Sequence, residues 1–577
     1  MTTRDARRGS RVRSASASSS GPVALVTGAA GAIGRETVAA LARDGYQVAA
    51  LDLHADFVAL RALLDDAALA DRVAFFGLDV RDASAARDVV GSVVAWSGGR
   101  LDVVVNNAGV RAAGLFMHTP TEAQQAMFDV NYFGVANVTR AALPHLRARG
   151  TGHVIVVSSV GALAGLPGLA GYCASKAAVE GWAESVAMEL RPFGVGVTLI
   201  EPASVRSAIW QSGRFHVDPE ACDADLAHHL ESRDAASQST AGDPCSVATA
   251  IVRSLRFGAR WAPTRVPVGL TALARHGARG VIPPVAQRAV MRRALALPAP
   301  ATCPPHHAGA SVLVTGASSG LGQGLVRVLH DRGWRVIGTV RNADKMAALR
   351  GDLGDRDVAL IEMDQADDAS VAAAFVRVAE MTEGVLDAVV ANAGLKVTGP
   401  FEHLDDAALR TMIDVNVFGT WSVARHAVPM LRANGGGRVV IIGSSSGMTG
   451  MPGWSGYVAG KFALEAWAES VAYELEPDAI SVSVIEPGTF RSEIYREGSS
   501  VVVTDGPYAH LAAVIDRREH DALASAGGPE PVIERVVHVL SMARPPLRSP
   551  VGAGARVRQL VRGVVPGSVL QRLLAVR

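Results

Sequence analysis

Short apolar runs alternate with longer amphipathic stretches along most of the chain. Six runs in the first half have the length and composition of strands buried on both faces of a sheet: Val23–Val26, Val48–Leu51, Val73–Phe76, Val103–Val105, Val154–Val157 and Val195–Ile200. Helical stretches lie between them, and the alternation returns from Val312 to Ile485. Because alternating strands and helices form parallel sheets covered on both faces, the pattern predicts the α/β class with a doubly wound sheet in each half.

The two halves are copies of one unit. VALVTGAAGAIG begins at Val23 and SVLVTGASSGLG begins at Ser311. Further matches keep a constant spacing of 285 residues, in the pairs Asp79 and Asp364, Asn131 and Asn416, Tyr172 and Tyr457, Lys176 and Lys461, and Pro202 and Pro487. A period of this length indicates a duplicated domain rather than a solenoid repeat.

The domain boundaries follow from composition. The Pro-rich stretch 297–310, LPAPATCPPHHAGA, predicts a linker between a first domain at 22–296 and a second at 311–577. Residues 1–21 are rich in Arg, Ser and Ala and lack the apolar centre of a secretory signal, so they predict a disordered basic tail.

Composition narrows the functional classes. The net charge of +1 gives no reason to expect a nucleic-acid partner, and no apolar run approaches the roughly 20 residues of a membrane span. Four scattered cysteines favour free thiols and a reducing, cytoplasmic compartment. Cys303, His306 and His307 lie together in the linker, but no second ligand pair accompanies them, so we predict no metal.

Each half carries a strand, a glycine-rich turn and a helix in succession. Such a turn lets the backbone approach a pyrophosphate, which the helix N-terminus then attracts. The predicted contacts are Gly28, Ile33 and Gly34 in the first half, and Gly316, Gly320, Leu321 and Gly322 in the second. The other interpretation of these glycines is an ordinary tight turn.

Charged residues after the second strand predict which cofactor each half prefers, and those after the third strand predict contacts with its adenine. Asp52 favours a free ribose 2′-hydroxyl and hence NAD in the first half, whereas Arg341 favours a 2′-phosphate and hence NADP in the second. Ordinary surface charge is the alternative. Asp79 with Val80, and Asp364, follow the third strand, where a carboxylate can meet the adenine; the alternative for both aspartates is a helix N-cap.

Taken together, the motifs resemble the classical short-chain dehydrogenase/reductase family, in two tandem copies. The resemblance covers most of 22–206 and 311–492 and includes NNAG and ANAG, VNYFG and VNVFG, and YCASK and YVAGK. It implies two Rossmann domains, with further cofactor contacts at Asn106, Ala108 and Gly109 and at Asn392, Ala393 and Gly394. Ala32 and Ala391 depart from the family's pattern, and we expect Ala391 to loosen the second site.

The catalytic chemistry can be argued from residue types. Tyr172 and Lys176 are four residues apart and share one face of a helix, where an ammonium would lower the phenol's pKa from about 10. Ser159 would hydrogen-bond the same substrate oxygen. The resemblance implies that Lys176 contacts the nicotinamide ribose and that Asn131 supports a proton relay. Ser444, Tyr457, Lys461 and Asn416 repeat the set.

These residues predict a bifunctional oxidoreductase that moves hydride between nicotinamide and an alcohol or ketone. One active half with a second half as scaffold or nucleotide sensor remains the alternative. EPGTFRS and GWAESVAMELRPFGV resemble the branch acting on retinoids, steroids and similar lipophilic alcohols. Trp210, Phe215, Tyr495 and Tyr508 are candidates for apolar substrate walls, or for ordinary core.

Two expectations concern assembly. Family members dimerise through the helices bearing the Asn and the Tyr-x-x-x-Lys, so we expect the halves to pack as an internal pseudo-dimer through 122–146, 172–190, 407–431 and 457–475. The stretches 251–297 and 541–577 contain nine and seven Arg and no acid. They favour helices that cap each domain, with peripheral contact to an anionic membrane as the alternative.

Overall fold

The computed structural model describes residues 21–564 apart from 54–56, 65, 208, 210–214, 283, 305–308, 319, 492–493, 495–498 and 502. The tail prediction therefore falls outside the described residues except for Gly21. The expectations for Trp210, Tyr495, His306 and His307 also lie outside them. Among the described residues, no helix combines the length and the apolar character needed to cross a membrane.

In the described part of the first half there are nine strands. They are β1 Val23–Thr27, β2 Gln47–Asp52, β3 Val73–Gly77, β4 Val103–Asn106, β5 Ala113–Gly114, β6 Gly152–Val157, β7 Val195–Pro202, β8 Phe215–His216 and β9 Arg265–Val268. Its α-helices are α1 Ala32–Arg43, α2 Val58–Arg61, α3 Ala67–Ala70, α4 Ala83–Trp96, α5 Thr121–Phe128, α6 Val135–Arg149, α7 Ala170–Leu190, α8 Ala224–Ser239, α9 Pro244–Leu255, α10 Gly258–Trp261, α11 Leu270–Val281 and α12 Pro284–Ala294.

The second half repeats this order. Its strands are β10 Ser311–Val314, β11 Arg335–Val340, β12 Ala359–Glu362, β13 Ala388–Ala391, β14 Val397–Thr398, β15 Gly437–Ile442, β16 Ile480–Pro487, β17 Ser499–Ser500 and β18 Arg548–Val551. Its α-helices are α13 Gly320–Asp331, α14 Ala343–Leu353, α15 Asp368–Thr382, α16 Asp406–Ile413, α17 Thr420–Ala433, α18 Ser455–Leu475, α19 Ala509–Ala524, α20 Glu530–Ser541 and α21 Ala553–Val564.

Each half is built on a seven-stranded parallel sheet. The strand order is β3-β2-β1-β4-β6-β7-β9 in the first and β12-β11-β10-β13-β15-β16-β18 in the second. β1 and β6 are buried along their whole length, as expected for strands with helices on both faces. The prediction of two doubly wound parallel sheets in tandem is confirmed.

The order reverses between β1 and β4, and again between β10 and β13. At such a switch point the loops leaving the two central strands turn to opposite faces, and a crevice opens at the carboxyl ends of the strands. The glycine turns at Gly28 and Gly316 lie at this edge.

The seventh strand of each sheet is a correction to the predicted six. β9 pairs with β7, and β18 pairs with β16. Pro267 and Pro550 lie within these strands, and proline cannot complete a ladder on both sides. Their position at the sheet edge removes the difficulty, but their short length and proline hid them from the apolar pattern.

The two halves pack directly against each other through α7 and α18. Gly181 of α7 faces Phe462 of α18, and a Cβ at Gly181 would lie 2.7 Å from the ring. Aromatic rings continue the contact: Phe116 packs edge-on against Trp467 with centroids 5.2 Å apart, and Phe401 packs against Trp182 at 5.1 Å. Buried residues of both halves thus form one hydrophobic core that crosses between the sheets.

Candidate active sites

The glycine turn of each half has a backbone conformation and a close packing that residues with a side chain could not adopt without strain. Gly28 and Gly316 both have φ of +64°, in the left-handed region. A Cβ on Gly34 would lie 2.0 Å from the Gly28 carbonyl oxygen, and one on Gly322 would lie 2.1 Å from that of Gly316. Bare backbone at these positions leaves a cradle at the N-terminus of the following helix, which suits a pyrophosphate.

An asparagine ties each turn to the loop after the fourth strand. The Asn107 side chain donates to the carbonyls of Thr27 and Gly28, both at 3.0 Å. Asn392 makes the same contacts with Thr315 at 2.9 Å and Gly316 at 3.2 Å. Asn392 was among the predicted residues, whereas Asn107 was missed, although the NNAG and ANAG motifs align it with Asn392.

Asn106, which was predicted instead, points away from the turn. It is buried, and its amide donates to the Thr139 hydroxyl at 3.0 Å. The corresponding second-half residues, Ala391 and Ala424, are both buried alanines. Because donor and acceptor are replaced together, the substitution at Ala391 leaves no partner of that hydrogen bond unsatisfied. The structure gives no sign of the loosening expected there.

The loops after the second strands differ in charge. The Asp52 carboxylate accepts from the Ala30 amide at 2.9 Å and from its neighbour Leu53 at 2.8 Å, so it is attached to the glycine turn. The equivalent of Asp52 in the second half is Val340, and exposed Arg341 is the equivalent of Leu53. The two halves therefore present opposite charges at the same edge.

The carboxylates after the third strand have local partners. Asp79 forms an ion pair with Arg81 at 2.7 Å, and this hydrogen-bonded guanidinium lowers the pKa of the Asp79 carboxyl. Asp364 accepts from the Ala366 amide at 3.0 Å. The N-caps of the helices that follow are Asp82 and Asp367, so the alternative of a helix N-cap does not hold for either residue. Val80, the next residue after Asp79, is buried.

Asn131 and Asn416 lie in matching π-helical turns, Asp129–Gly134 and Asp414–Gly419. The Asn131 side chain accepts from the Val110 amide at 2.8 Å and donates to the Val110 carbonyl at 2.9 Å. Asn416 bonds Leu395 in the same way, at 2.7 and 2.8 Å. Single π-turns are frequent at functional sites, and here they direct both amides at the loop after the fourth strand.

Ser159 and Tyr172 meet at the end of β6. The Ser159 oxygen accepts from the Gly161 amide at 3.1 Å, and Ser159 is hydrogen-bonded to the Tyr172 hydroxyl. Burial raises the pKa of Tyr172, and the Ser159 contact and the charge of Arg111 only partly oppose this. The sequence predicted that Lys176 would lower the pKa of Tyr172, but in the structure burial raises that pKa.

The two lysines have equivalent partners, the backbone carbonyls at the ends of β6 and β15. The Lys176 ammonium donates to the Val157 carbonyl at 3.0 Å, and Lys461 donates to Ile442 at 2.9 Å. Burial lowers the pKa of each lysine to about 8, with Glu180 and Glu465 opposing that shift. The Lys461 nitrogen is 5.7 Å from the centre of the Tyr457 ring.

In the second half these groups line one cleft of about 300 Å³. The predicted residues along it are Gly316, Gly320, Leu321, Gly322, Arg341, Asp364, Asn392, Ala393, Gly394, Ser444, Tyr457 and Lys461. Asn416 lies beneath it, with its oxygen 3.1 Å from where a Gly394 Cβ would be. In the first half, a Cβ on Gly109 would lie 3.2 Å from the Asn131 side-chain oxygen and 3.4 Å from the Lys176 nitrogen. Ala108 and Ala393 donate their amides to Thr27 and Thr315, and Ile33 lies in the first turn of α1.

A buried cation beside each site was not predicted. Arg111 follows NNAGV and forms an ion pair with Asp234 of α8. Lys396, 285 residues later, lies in the second cleft and pairs with Glu519 of α19. The shared spacing of both pairs was the available signal. These ion pairs join the loop after β4 to α8 in the first half and the loop after β13 to α19 in the second.

The two described candidates for substrate walls behave differently. Phe215 lies against the loop before Tyr172, 3.2 Å from where a Gly168 Cβ would be. Tyr508 is buried against Phe193, with ring centroids 4.9 Å apart, and so belongs to the core between the halves. Within the described residues, no group of three or more potential metal ligands occurs.

Comparison with known proteins agrees with this geometry. Human 17-beta-hydroxysteroid dehydrogenase type 1 is 35% identical over 260 residues, covering 41% of this chain and 76% of that protein. Human retinol dehydrogenase 8 is 31% identical, covering 41% of this chain and 80% of its own. The uncharacterized oxidoreductase YbbO of Escherichia coli K12 is 30% identical, covering 46% of this chain and 93% of YbbO. The family model for short chain dehydrogenases matches residues 22–216 and again 310–500, more than half of the chain. The protein therefore belongs to the short chain dehydrogenase family of oxidoreductases, with two tandem copies of the family's domain.

Proposed function

We propose that each half is an NAD(P)-dependent alcohol dehydrogenase or ketoreductase, so that the chain is bifunctional. The observation that carries this is the repeated placement of Ser, Tyr, Lys and Asn beside a glycine cradle in both halves. The units are 22–296 and 311–577, joined by 297–310. A nicotinamide dinucleotide, held by the glycine turns, would supply the hydride acceptor or donor.

The chain's own groups handle the proton. The Tyr172 hydroxyl exchanges a proton with the substrate oxygen, and Ser159 hydrogen-bonds that oxygen and orients it. Lys176, with its pKa lowered to about 8, provides positive charge close to the tyrosine. Burial raises the pKa of Tyr172, and the charge of Arg111 opposes this shift, so Arg111 favours loss of the proton in the direction of alcohol oxidation. Ser444, Tyr457 and Lys461 act in the same way.

The halves differ in cofactor. Asp52 at the end of β2 supports NAD in the first half, because a carboxylate there repels a 2′-phosphate. Arg341 supports NADP in the second half, because it is exposed, lines the cleft and can pair with that phosphate.

The substrate is a lipophilic alcohol or ketone. Two observations support this class: the relatives named for a hydroxysteroid and for retinol, and Phe215 against the loop that precedes Tyr172. An apolar ring at this place favours a substrate with a hydrocarbon skeleton.

The halves form an internal pseudo-dimer in a cytoplasmic protein. The packing of α7 on α18 and the shared hydrophobic core support this arrangement.

Peripheral contact with an anionic membrane is a separate prediction. Exposed Trp261, Leu270 and Val285 in the Arg-rich stretch support it. Sedimentation with phosphatidylserine vesicles tests it, and recovery of all protein in the supernatant contradicts it.

The test of bifunctionality uses one silenced half at a time. Tyr172→Phe removes the proton donor but keeps the ring, so turnover by the first half should fall by about 10²–10⁴ while the second half continues. Tyr457→Phe should do the reverse. Steady-state assays of a panel of steroid, retinoid and aliphatic alcohols and ketones, with both cofactors, measure the effect.

Binding of NADH and NADPH, followed by fluorescence, is the control and should persist in both variants. If one tyrosine variant keeps every activity of the parent chain, the half that carries it is a scaffold or sensor, which is the alternative function.

A further inference from the structure

A buried glutamate at the end of each long helix reaches into the other half. Glu474 of α18 accepts from the amides of Phe116 at 2.7 Å and Gly168 at 2.8 Å. Glu189 of α7 accepts from the amides of Phe401 at 2.7 Å and Gly453 at 2.8 Å. The contacts are reciprocal, and each carboxylate holds two backbone groups that belong to the opposite unit.

The amides concerned lie in the segments that shape each site. Gly168 is between Ser159 and Tyr172, four residues before the tyrosine, and its carbonyl accepts from the Gly114 amide at 2.9 Å. Gly453 stands four residues before Tyr457, and its carbonyl accepts from Gly399 at 2.8 Å. Each glutamate therefore joins two segments of the other half: the one between the site's serine and tyrosine, and the one that follows β4 or β13.

Serines one turn earlier on the helices add a second attachment. The Ser470 hydroxyl accepts from the Leu166 amide at 3.0 Å, and the Ser185 hydroxyl accepts from the Met451 amide at 3.1 Å. Both serines are fully buried. Side chains of the other half thus hold three backbone amides around the first site. Around the second site they hold four, because Glu184 also accepts from the Gly450 amide at 2.8 Å.

The carboxylate is well matched to two converging N–H groups. Glu474 and Glu189 are 3% and 1% exposed, so water does not replace a lost contact. A glutamine would keep one oxygen but present an N–H₂ group to the second amide, which leaves a buried donor facing a donor. Burial raises the pKa of both glutamates to about 7, although the amides oppose the shift.

We propose that Glu474 is a positioning residue for the first catalytic site and Glu189 for the second, so that each site is completed by the other half. The inference rests on the proposed function of two oxidoreductase sites. It explains in physical terms why the units are tethered: a separated half would lose the carboxylate that aligns its serine with its tyrosine.

The experiment compares the two glutamates in chains with one active half. In the Tyr457→Phe chain, Glu474→Gln should lower the kcat of the first site about tenfold, because small misplacement of reacting groups is costly. The KM for the nicotinamide cofactor should stay unchanged, because the glycine turn is not touched. Glu189→Gln in the same chain is the matched control, since it weakens the equivalent contact of the silenced half.

In the Tyr172→Phe chain the two variants should exchange their effects. A general weakening of the interface would lower turnover equally with either glutamine, and that result would overturn the proposal. So would unchanged kcat with both. Glu474→Asp keeps the charge but is one methylene shorter, and it should impair the first site in the same direction if Glu474→Gln does not fold.

Amide hydrogen exchange of the full chain separates this inference from the proposed function. Glu474→Gln should speed exchange in peptides containing Phe116 and Gly168, and Glu189→Gln in those containing Phe401 and Gly453. If no alcohol or ketone is turned over, the proposed function fails while crosswise exchange still supports the attachment. If exchange changes crosswise but kcat does not, the positioning role fails and the proposed function stands.

Discussion

Buried Glu201 of the first half pairs with an arginine and a histidine, whereas the charge of neighbouring Glu465 raises the pKa of the corresponding Glu486 in the second half. Glu201 pairs with Arg265 and, at 3.1 Å, with His276. Burial works to raise the pKa of Glu201, but Arg265 and His276 outweigh it and lower that pKa. Burial and the charge of Glu465 instead raise the pKa of Glu486 well above its ordinary value.

Two differences in the surrounding residues accompany this contrast in pKa. Gln559 lies at the place that His276 occupies, next to Glu486 in a small cavity of about 70 Å³. Arg548 remains, but it bonds Glu465 at 2.8 Å and Glu469 at 3.4 Å. The Ser, Tyr, Lys and Asn proposed for catalysis are the same in the two halves, while the ionic groups that surround them have diverged. The residues around these buried glutamates can change because the fold requires only that each buried charge is paired or neutralised.

The largest expected difference between the halves is in cofactor binding. Arg341→Ala should raise the KM of the second site for NADPH about tenfold or more, because it removes the cation expected to pair with the 2′-phosphate. The KM for NADH should hardly change. Kinetics of the Tyr172→Phe chain, in which only the second site works, measure both values.

The first site provides the opposite test. Asp52→Ala in the Tyr457→Phe chain should weaken the preference for NADH over NADPH. A first site that already prefers NADPH before the substitution would show that Asp52 does not select the cofactor.

The next contrast is in stability and has opposite signs in the two halves. The folded pKa of Glu486 is raised, so the folded chain keeps a proton that the unfolded chain has lost, and stability falls as pH rises. Glu486→Gln should therefore stabilise the second half by on the order of 1 kcal/mol at pH 8, with little gain near pH 5. Urea unfolding at the two pH values measures the shift.

Glu201→Gln is the matched variant. The folded pKa of Glu201 is lowered, so its contribution is present above the unfolded pKa and is lost as pH falls. This variant should destabilise the protein at pH 8, and the loss should shrink in acid. Equal shifts in both variants would mean that the two clusters are electrostatically alike.

The smallest effect is expected at Ser175, which contacts one of the two asparagines of the proposed sites. The Asn131 amide donates to the Ser175 hydroxyl at 2.9 Å, but Gly460 takes that position in the second half, so Asn416 lacks this contact. Ser175→Ala should lower the kcat of the first site only about two- to threefold, because Asn131 keeps Val110. The Tyr457→Phe chain reports this change, and a loss above about tenfold would give Ser175 a larger role than orientation.

Local pattern determined a large part of this protein. The buried runs, the glycine turns and the 285-residue spacing predicted two doubly wound sheets and located the residues that the structure gathers at their carboxyl ends. These features are readable because strand burial, left-handed turns and residues four apart on a helix depend on neighbouring positions alone.

Only the tertiary structure decided which residues meet across long separations. It placed β9 at the sheet edge, sent Tyr508 into the core between the halves, and brought Glu474 to Gly168 across 306 positions. It also reversed the expected pKa shift of Tyr172, because burial is set by everything that packs around a side chain. A periodic pattern shows which face of a helix is buried, but the identity of the backbone that covers that face depends on how the two halves dock.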